Sequence, residues 1–382
     1  MKYIPYGHQW IDEEDIEEVV KVLKSDWITT GPKIEEFENA LCRYIGCKYA
    51  VAVNSGTSAL DIVVQTLNLL KGSEVITTPF TFVATTNAIL YNNLKPVFAD
   101  IEKDTRNINP DEIRKGITDK TKAIIYVDYA GHPCDIEEIK EIAEDHDLYL
   151  IADASHAIGS EYKGEKTGNF ADMTVFSFHP VKHITTGEGG VVVTNNEEFD
   201  ERLKMLRNHG IDKSALDRFG PKAGWAYDLK LLGRNYRITD FQAALGISQL
   251  KKLDEFLRRR AEIVKRYNEA FEAVPEIETP IVKSHVKQAW HIYTILLNGM
   301  DRDEFFSKMR ERNIGVNVHY IPIYRFSYYQ EQFNINPSDF PVTEEVFSKI
   351  VTLPLFPKMT EDEVLNVIEI VKESIIGQKD LI

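Results

Sequence analysis

Short apolar runs alternate with amphipathic stretches along the first half of the chain. From about residue 49 onward, runs rich in Val, Ile and Ala are separated by segments in which apolar residues recur at helical spacing. Such alternation is typical of a largely parallel sheet covered by helices on both faces. We predict strands at 49–53, 75–78, 96–99, 123–127, 149–152, 173–178 and 190–194. The predicted helices between them span 58–70, 82–91, 135–145 and 197–208.

The second half of the chain predicts a different layout. Residues 240 to about 274 form one long helical pattern that ends before Pro275. Shorter elements of a small α/β unit are predicted at 291–297, 301–312, 315–319, 342–350 and 360–376. We predict an α/β fold with a large domain at 1–250 and a smaller C-terminal domain at 251–382. A length of 382 residues suits two such domains.

Composition and charge narrow the classes of function. A formal net charge of -15 argues against general nucleic-acid binding, which requires a basic face. No uncharged apolar run approaches the ~18 residues that a membrane-spanning helix needs. The 3 cysteines include no Cys-x-x-Cys pair, so they indicate neither a disulfide framework nor a zinc site. We therefore expect a reduced, cytoplasmic protein that binds neither nucleic acid nor membrane.

The segment 177–190 carries the strongest chemical signal. It reads Ser-Phe-His-Pro-Val-Lys-His-Ile-Thr-Thr-Gly-Glu-Gly-Gly and places Lys182 among apolar neighbours, just beyond a predicted buried strand. Burial lowers the pKa of a lysine, and an uncharged amine can form a Schiff base with an aldehyde cofactor. The alternative is a surface lysine whose aliphatic stem covers an apolar turn.

Two further polar features stand at carboxyl ends of predicted strands, where open α/β sheets bind ligands. The segment 54–58 opens a helix, and the hydroxyls of Thr57 and Ser58 could help its amides to hold a phosphate, or could cap the helix. Asp153 closes a strand and could pair with a protonated pyridine nitrogen, or could cap the next turn. His156 would then lie near the phenolic oxygen of the same ring.

Phe82 and Ser177 complete this set of side chains. Phe82 could stack on a flat ring, although packing in the core is the usual place for phenylalanine. Ser177 could contact a phosphate while Lys182 holds an aldehyde. A phosphate cradle, a carboxylate, an aromatic platform and a lysine are together what pyridoxal 5′-phosphate (PLP) requires. We therefore predict PLP as the cofactor.

Two other polar clusters have plainer explanations. His179 and His183 have the i, i+4 spacing of a helical metal pair, but Pro180 interrupts the helix and no carboxylate or thiol completes a ligand set. We therefore predict no metal site. The run of three arginines at 258–260 is expected to be a solvated face of the long helix.

The chain resembles the DegT/DnrJ/EryC1/StrS family of sugar aminotransferases. The similarity runs from about residue 3 to residue 372 and is carried by segments 26–37, 54–60, 79–87, 153–157, 177–190 and 233–246. The resemblance implies the fold of type I PLP-dependent transferases, which is that of aspartate aminotransferase. It makes Lys182 the lysine that bonds to the cofactor and Asp153 the partner of the pyridine nitrogen. Family members that act as sugar dehydratases carry histidine at the lysine position, so Lys182 favours amino transfer.

The same resemblance implies how the rest of the cofactor is held. His156 would lie near the ring oxygen and Phe82 would stack on the ring. The phosphate would be bound by Thr57, Ser58 and Ser177, and by Asn235 of the neighbouring subunit. This last role implies a homodimer with shared active sites.

Within the family, segments 1–6, 178–182 and 318–324 are most similar to enzymes that aminate a UDP-linked 4-keto-6-deoxy-2-acetamido sugar in pseudaminic acid synthesis. This similarity implies that L-glutamate donates the amino group, leaving 2-oxoglutarate in a ping-pong mechanism. The implied sugar or nucleotide contacts are Tyr6, Thr30, His319 and Tyr320, although the last two could instead pack between domains. A dTDP- or GDP-linked keto sugar and a non-catalytic regulator on the same fold remain alternatives.

Overall fold

The structure is a computed structural model that describes residues 2–213 and 225–379. The strands of the described chain, in order, are β1 (Tyr49–Val53), β2 (Glu74–Thr77), β3 (Lys95–Phe98), β4 (Thr121–Val127), β5 (Tyr149–Asp153), β6 (Glu161–Tyr162), β7 (Glu165–Lys166), β8 (Met173–Ser177), β9 (Gly190–Thr194), β10 (Ile277–Glu278), β11 (Val286–Lys287), β12 (Tyr293–Leu297) and β13 (Ile350–Leu353).

The α-helices of the described chain are numbered in the same way. They are α1 (Glu13–Leu23), α2 (Pro32–Ile45), α3 (Gly56–Thr66), α4 (Val83–Tyr91), α5 (Pro110–Gly116), α6 (Ile136–Asp145), α7 (Glu197–Arg207), α8 (Asp240–Phe271), α9 (Arg302–Glu311), α10 (Ser327–Gln332), α11 (Pro341–Lys349) and α12 (Glu361–Lys379). None of these helices, over the residues described, is long and apolar enough to cross a membrane.

The central sheet has seven strands in the order β1-β9-β8-β5-β4-β2-β3. Strands β3, β2, β4, β5 and β8 run parallel, whereas β9 is antiparallel to both of its neighbours. Every residue of β8 and β9 is buried, as expected for strands covered on both faces. The prediction of a mostly parallel mixed sheet in an α/β fold is thus confirmed.

Adjacent parallel strands end together at one edge of this sheet. Asp153 lies beside Val127 of β4 and beside Val175 of β8, two residues before Ser177. Because the carboxyl ends of parallel strands meet at the same edge, the ends of β4, β5 and β8 open onto a common crevice.

The C-terminal part has its own sheet and its own core. Strands β10, β12 and β13 form a three-stranded antiparallel sheet. A cluster of buried apolar side chains joins this sheet to the second half of α8, to α9 and to α12. Helix α8 passes through residue 250 without interruption, and the domain boundary at that position stays a prediction.

Several elements differ from those predicted by the apolar pattern. The pattern does not identify helices α1 and α2, nor strand β13, which follows α11 without a break. The predicted element at 315–319 is extended chain with a single bridge between Asn317 and Thr352. Helix α3 ends at Thr66, earlier than predicted, and Asn68 just beyond it has a left-handed φ of 51°.

Helix α8 begins at two sets of hydrogen bonds that fix its position on the large sheet. Thr239 and Gln242 form a capping box, in which each side chain bonds to the backbone N–H of the other. The buried carboxylate of Asp240 accepts hydrogen bonds from the N–H groups of Gly31 (2.7 Å) and Lys33 (3.0 Å) at the start of α2. These bonds tie the start of α8 to the N-terminal part of the chain.

We expect Thr239→Ala to lower the free energy of unfolding by about 1 kcal/mol, because the substitution leaves an N–H group in the first turn of α8 without its acceptor. Urea unfolding followed by circular dichroism measures the change. Lys251→Ala, an exposed change on the same helix, is the control and should stay within about 0.5 kcal/mol of the wild type. Equal losses in the two variants would contradict a capping role.

Candidate active site

A cleft of about 570 Å³ opens at the carboxyl ends of β4, β5 and β8, a volume in the usual range for small-molecule sites. Its wall includes residues from both halves of the chain. Of the residues that the sequence predicts for the site, it is lined by Tyr6, Thr57, Phe82, Asp153, His156, Ser177, Lys182, His319 and Tyr320. The described chain has no group of three or more His, Cys, Asp or Glu residues able to hold a metal ion.

Asp153, the last residue of β5, presents a carboxylate to this cleft while being 5% exposed. One carboxylate oxygen accepts a hydrogen bond from Thr85 Oγ1 at 2.7 Å. The other accepts from Ser155 Oγ at 2.6 Å and from the Ser155 N–H at 3.2 Å. These donors are neutral, so the cleft offers a buried anion that suits a positively charged ring nitrogen.

Lys182 lies in the turn after β8, with its N–H bonded to the carbonyl of His179 at 2.9 Å. Its Nζ lies 3.4 Å from Nε2 of His291. Burial lowers the pKa of the Lys182 ammonium to about 8, and the charge of Asp153 opposes this shift. The amine is therefore a far better nucleophile near neutral pH than an ordinary lysine.

The start of helix α3 and the end of β8 form a cradle for an anion. Ser55 is the N-cap of α3, and first-turn N–H groups of a helix have no partner inside the helix. A Cβ added to Gly56 would lie 3.0 Å from the Cβ of Ser177, so glycine allows the serine to approach the helix start. Thr57 and Ser177 line the cleft, whereas the Ser58 hydroxyl donates to Asn54 Oδ1 at 2.6 Å outside the cleft lining.

His156 and Tyr320 form a hydrogen-bonded pair on the wall of the cleft. The His156 Nδ1 accepts from the N–H of Ala130 at 3.3 Å, so a neutral ring carries its proton on Nε2. That Nε2 lies 3.0 Å from the Tyr320 hydroxyl, which leaves the hydroxyl free to donate elsewhere. Burial lowers the pKa of His156 well below its usual value, and the positive charge of Lys182 lowers it further. The ring is therefore neutral.

Aromatic side chains line the part of the cleft predicted to bind sugar. Phe82 is 56% exposed, and its ring centre lies 6.3 Å from that of Tyr320. Tyr6 packs against His319 with ring centres 5.3 Å apart. The His319 ring also bonds to Thr352 Oγ1 at 2.8 Å, and burial lowers its pKa to about 3. His319 is therefore held in the packing as well as lining the cleft.

The structure does not bring Thr30 or Asn235 to this cleft. Thr30 lines a second groove beside α2 and α7. Asn235 is exposed and forms a bridge with Asn208. The roles predicted for these two residues stay predictions.

Sequence reasoning missed three side chains that bond to the proposed catalytic pair, namely Thr85, Ser155 and His291. Ser155 stands two positions after Asp153 and could have been found as a short-range partner of the carboxylate. Thr85 and His291 are distant in sequence from the residues they contact, and no local pattern marks them.

The run at 258–260 was predicted to be solvated, and this prediction is wrong for Arg260. Arg258 is exposed and Arg259 is partly exposed, but Arg260 is 0% exposed. The helix turns the third arginine inward, because consecutive helical positions point about 100° apart. Its guanidinium donates to the carbonyls of Trp290, His291, Leu355 and Lys182.

Comparison with known proteins identifies the family of the chain. A model of the DegT/DnrJ/EryC1/StrS aminotransferase family matches residues 9–372. A Campylobacter jejuni protein named UDP-4-amino-4,6-dideoxy-N-acetyl-beta-L-altrosamine transaminase is 44% identical over 334 residues, which is 86% of either chain. The chain therefore belongs to the DegT/DnrJ/EryC1/StrS family and is a sugar aminotransferase.

Solved structures add the cofactor. Helicobacter pylori PseC, described as an aminotransferase involved in the biosynthesis of pseudoaminic acid, has a TM-score of 0.93 and 36% identity. That match covers 98% of this chain and 100% of PseC. Spr1654 of Streptococcus pneumoniae, described as a proposed sugar aminotransferase in its PLP form, has a TM-score of 0.91 and 32% identity over 97% of this chain and 98% of its own. The cofactor of the family, and of this enzyme, is PLP.

We expect the Lys182 amine of the cofactor-free protein to become reactive with a midpoint near pH 8, because burial disfavours the ammonium form and lowers its pKa to about 8. Trace acetylation with acetic anhydride, quantified by peptide mass spectrometry across pH 6 to 11, measures the profile. Lys21 is an internal control, since it is exposed and paired with Glu18, which raises its pKa above 10.5. Coincident profiles for the two lysines would show that Lys182 is not shielded from water.

Proposed function

We propose that this enzyme moves the amino group of L-glutamate to the 4-keto position of a UDP-linked 4-keto-6-deoxy sugar. The observation that carries the proposal is one cleft that contains a lysine amine with a lowered pKa and a buried carboxylate bonded by neutral donors. The substrate class is supported by the name of the Campylobacter relative, which specifies the transaminase of a UDP-linked amino sugar.

The residues of the cleft fit PLP at each of its functional groups. Lys182 would bond to the aldehyde, and Asp153 would hold the proton of the ring nitrogen. The phosphate would lie at the start of α3 with Thr57 and Ser177, and Ser58 would join them once its hydroxyl leaves Asn54 Oδ1. The ring would stack on Phe82, and the ring oxygen would lie near His156. When bound, PLP supplies an aldehyde that captures amines and a ring that accepts electrons.

Lys182 has a second task once its amine is free. A general acid and base works best when its pKa lies near the working pH, and a value of about 8 satisfies that condition. Lys182 would take a proton from the α-carbon of the amino acid and deliver it to the carbon that had carried the aldehyde of the cofactor. Asp153, fixed by Thr85 and Ser155, would meanwhile keep the ring nitrogen charged.

A single lysine serves both substrates in this proposal, so the two must react in turn. L-glutamate would bind and leave as 2-oxoglutarate before the keto sugar enters, which is a ping-pong sequence. Tyr6, His319 and Tyr320, which line the same cleft, would contact the sugar or its nucleotide. Composition favours a cytoplasmic location, and we include that location in the proposal.

We also propose that the enzyme works as a homodimer with shared active sites. The cleft of one chain includes neither Thr30 nor Asn235, although both were predicted for the site. In the proposed dimer Asn235 would reach the phosphate of the neighbouring subunit. A residue supplied across a two-fold axis would complete both sites at once.

A panel of UDP-, dTDP- and GDP-linked 4-keto sugars tests the substrate. With L-glutamate as donor, we expect the UDP sugar to release 2-oxoglutarate at least about tenfold faster, in kcat/KM, than the other two. Double-reciprocal plots at several glutamate concentrations should give parallel lines. Faster reaction of the dTDP or GDP sugar would contradict the UDP assignment, and intersecting lines would contradict the ping-pong sequence.

Mixed dimers test the shared site. Lys182→Ala and Asn235→Ala chains with different tags are co-expressed, and the mixed dimer is isolated with both tags. One of its two sites would lack both residues and the other would be intact, so we expect about half of the wild-type activity. If Asn235 acts within its own chain, neither site is intact and the mixed dimer stays as inactive as the parent variants.

A further inference from the structure

His291 is a buried side chain that contacts the reactive amine and has no role in the function proposed above. It lies just before β12 and is 4% exposed. Its Nε2 is 3.4 Å from Lys182 Nζ, and its Nδ1 has no hydrogen-bond partner in the described residues. Its ring packs on His156 with centres 4.3 Å apart. The ring is thus fixed, and its one polar contact is the amine.

Arg260 is bonded to the backbone of both residues that form the contact between His291 and Lys182. Its guanidinium is fully buried and lies within ion-pair distance of no carboxylate in the part of the chain that is described. It bonds instead to the carbonyl of His291 at 3.1 Å and to the carbonyl of Lys182 at 3.4 Å. One side chain therefore ties the two segments that carry the amine and the imidazole.

The surroundings of His291 favour a neutral ring. Burial lowers the pKa of His291 well below its usual value, and the positive charges of Lys182 and Arg260 lower it further. The titratable or charged groups that act on Lys182 or share its cleft are Tyr6, Asp153, His156, His179, His183, Glu188, His291, His319, Tyr320 and Arg260. Of these, Asp153 and Glu188 are the two carboxylates.

The unpartnered Nδ1 identifies which ring nitrogen carries the proton. A buried N–H without an acceptor is rarer and costlier than an unused lone pair. The favoured tautomer therefore has its proton on Nε2 and a bare lone pair on Nδ1. In that form the Nε2–H points to Lys182 Nζ, which can accept it only while the amine is unprotonated.

We propose that His291 donates a hydrogen bond from Nε2 to the free amine of Lys182 and holds that amine unprotonated between covalent steps. His291 is in this sense a positioning residue, with Arg260 fixing the distance between the two segments. The inference rests on the proposed covalent role of Lys182, because the amine is free only after an amino substrate has displaced it. Held in this way, the amine is ready to accept a proton from the substrate.

The acetylation profile of Lys182 in the cofactor-free protein tests the proposal without any turnover. His291→Phe removes the donor and keeps an aromatic ring, so the midpoint should move up by about one pH unit, the size of one net hydrogen bond. His291→Gln can donate from its amide and should stay within about 0.3 units of the wild type. An unchanged or lowered midpoint in His291→Phe would overturn the proposal.

His183→Phe is the matched control. His183 is also a buried imidazole, but its Nε2 bonds to the carbonyl of Ala289 at 3.1 Å rather than to the amine. Its substitution should leave the Lys182 midpoint at the wild-type value. An equal upward shift in this variant would assign the effect to packing and would reject a specific donor.

The tautomer of His291 can be measured in the unmodified protein, so the proposal does not depend on whether a variant folds. Nitrogen-15 labelling of the histidine rings in the cofactor-free wild type should give a neutral His291 with its proton on Nε2 at pH 9. A proton on Nδ1, or on both nitrogens, would refute the donor role. Borohydride reduction of the protein with PLP is a separate experiment that tests whether PLP bonds to Lys182. Its failure would contradict the proposed function rather than the donor role of His291.

Discussion

The partial burial of one lysine amine is the constraint on which the rest of the site depends. Lys182 has a lowered pKa because β8 ends inside the molecule and because the C-terminal part covers the turn that follows. An exposed lysine would be almost entirely an ammonium ion at neutral pH and would bond to an aldehyde or accept a proton far less readily. The buried strands and the second core therefore serve chemistry as well as stability.

The sequence allowed much of the large sheet and its chemistry to be predicted, since both follow from local patterns. Buried parallel strands give continuous apolar runs, and the polar residue that ends each run lies at the binding edge. Asp153, Ser177 and Lys182 could be found in this way. The antiparallel direction of β9 could not be predicted, because strand direction depends on pairing rather than on the apolar pattern.

The features that escaped prediction depend on contacts between distant segments. Arg260 directly follows Arg259, which is partly exposed, and the C-terminal core packed over α8 makes the position of Arg260 an interior one. His291 is separated from Lys182 by 109 positions. No local feature of the sequence marks the role of either residue. Their roles depend on contacts between the two parts of the chain, which only the folded structure shows.

Helix α8 is bonded at two points to segments that surround the cleft. Asp240 bonds to the start of α2, and Arg260, in the second half of the helix, bonds to the backbone carbonyls of His291 and Lys182. A swing of the C-terminal part away from the sheet would break the bond from Arg260 to the Lys182 carbonyl and would separate His291 from the amine. Access to the cleft by such a movement and the reactivity of the amine are therefore coupled.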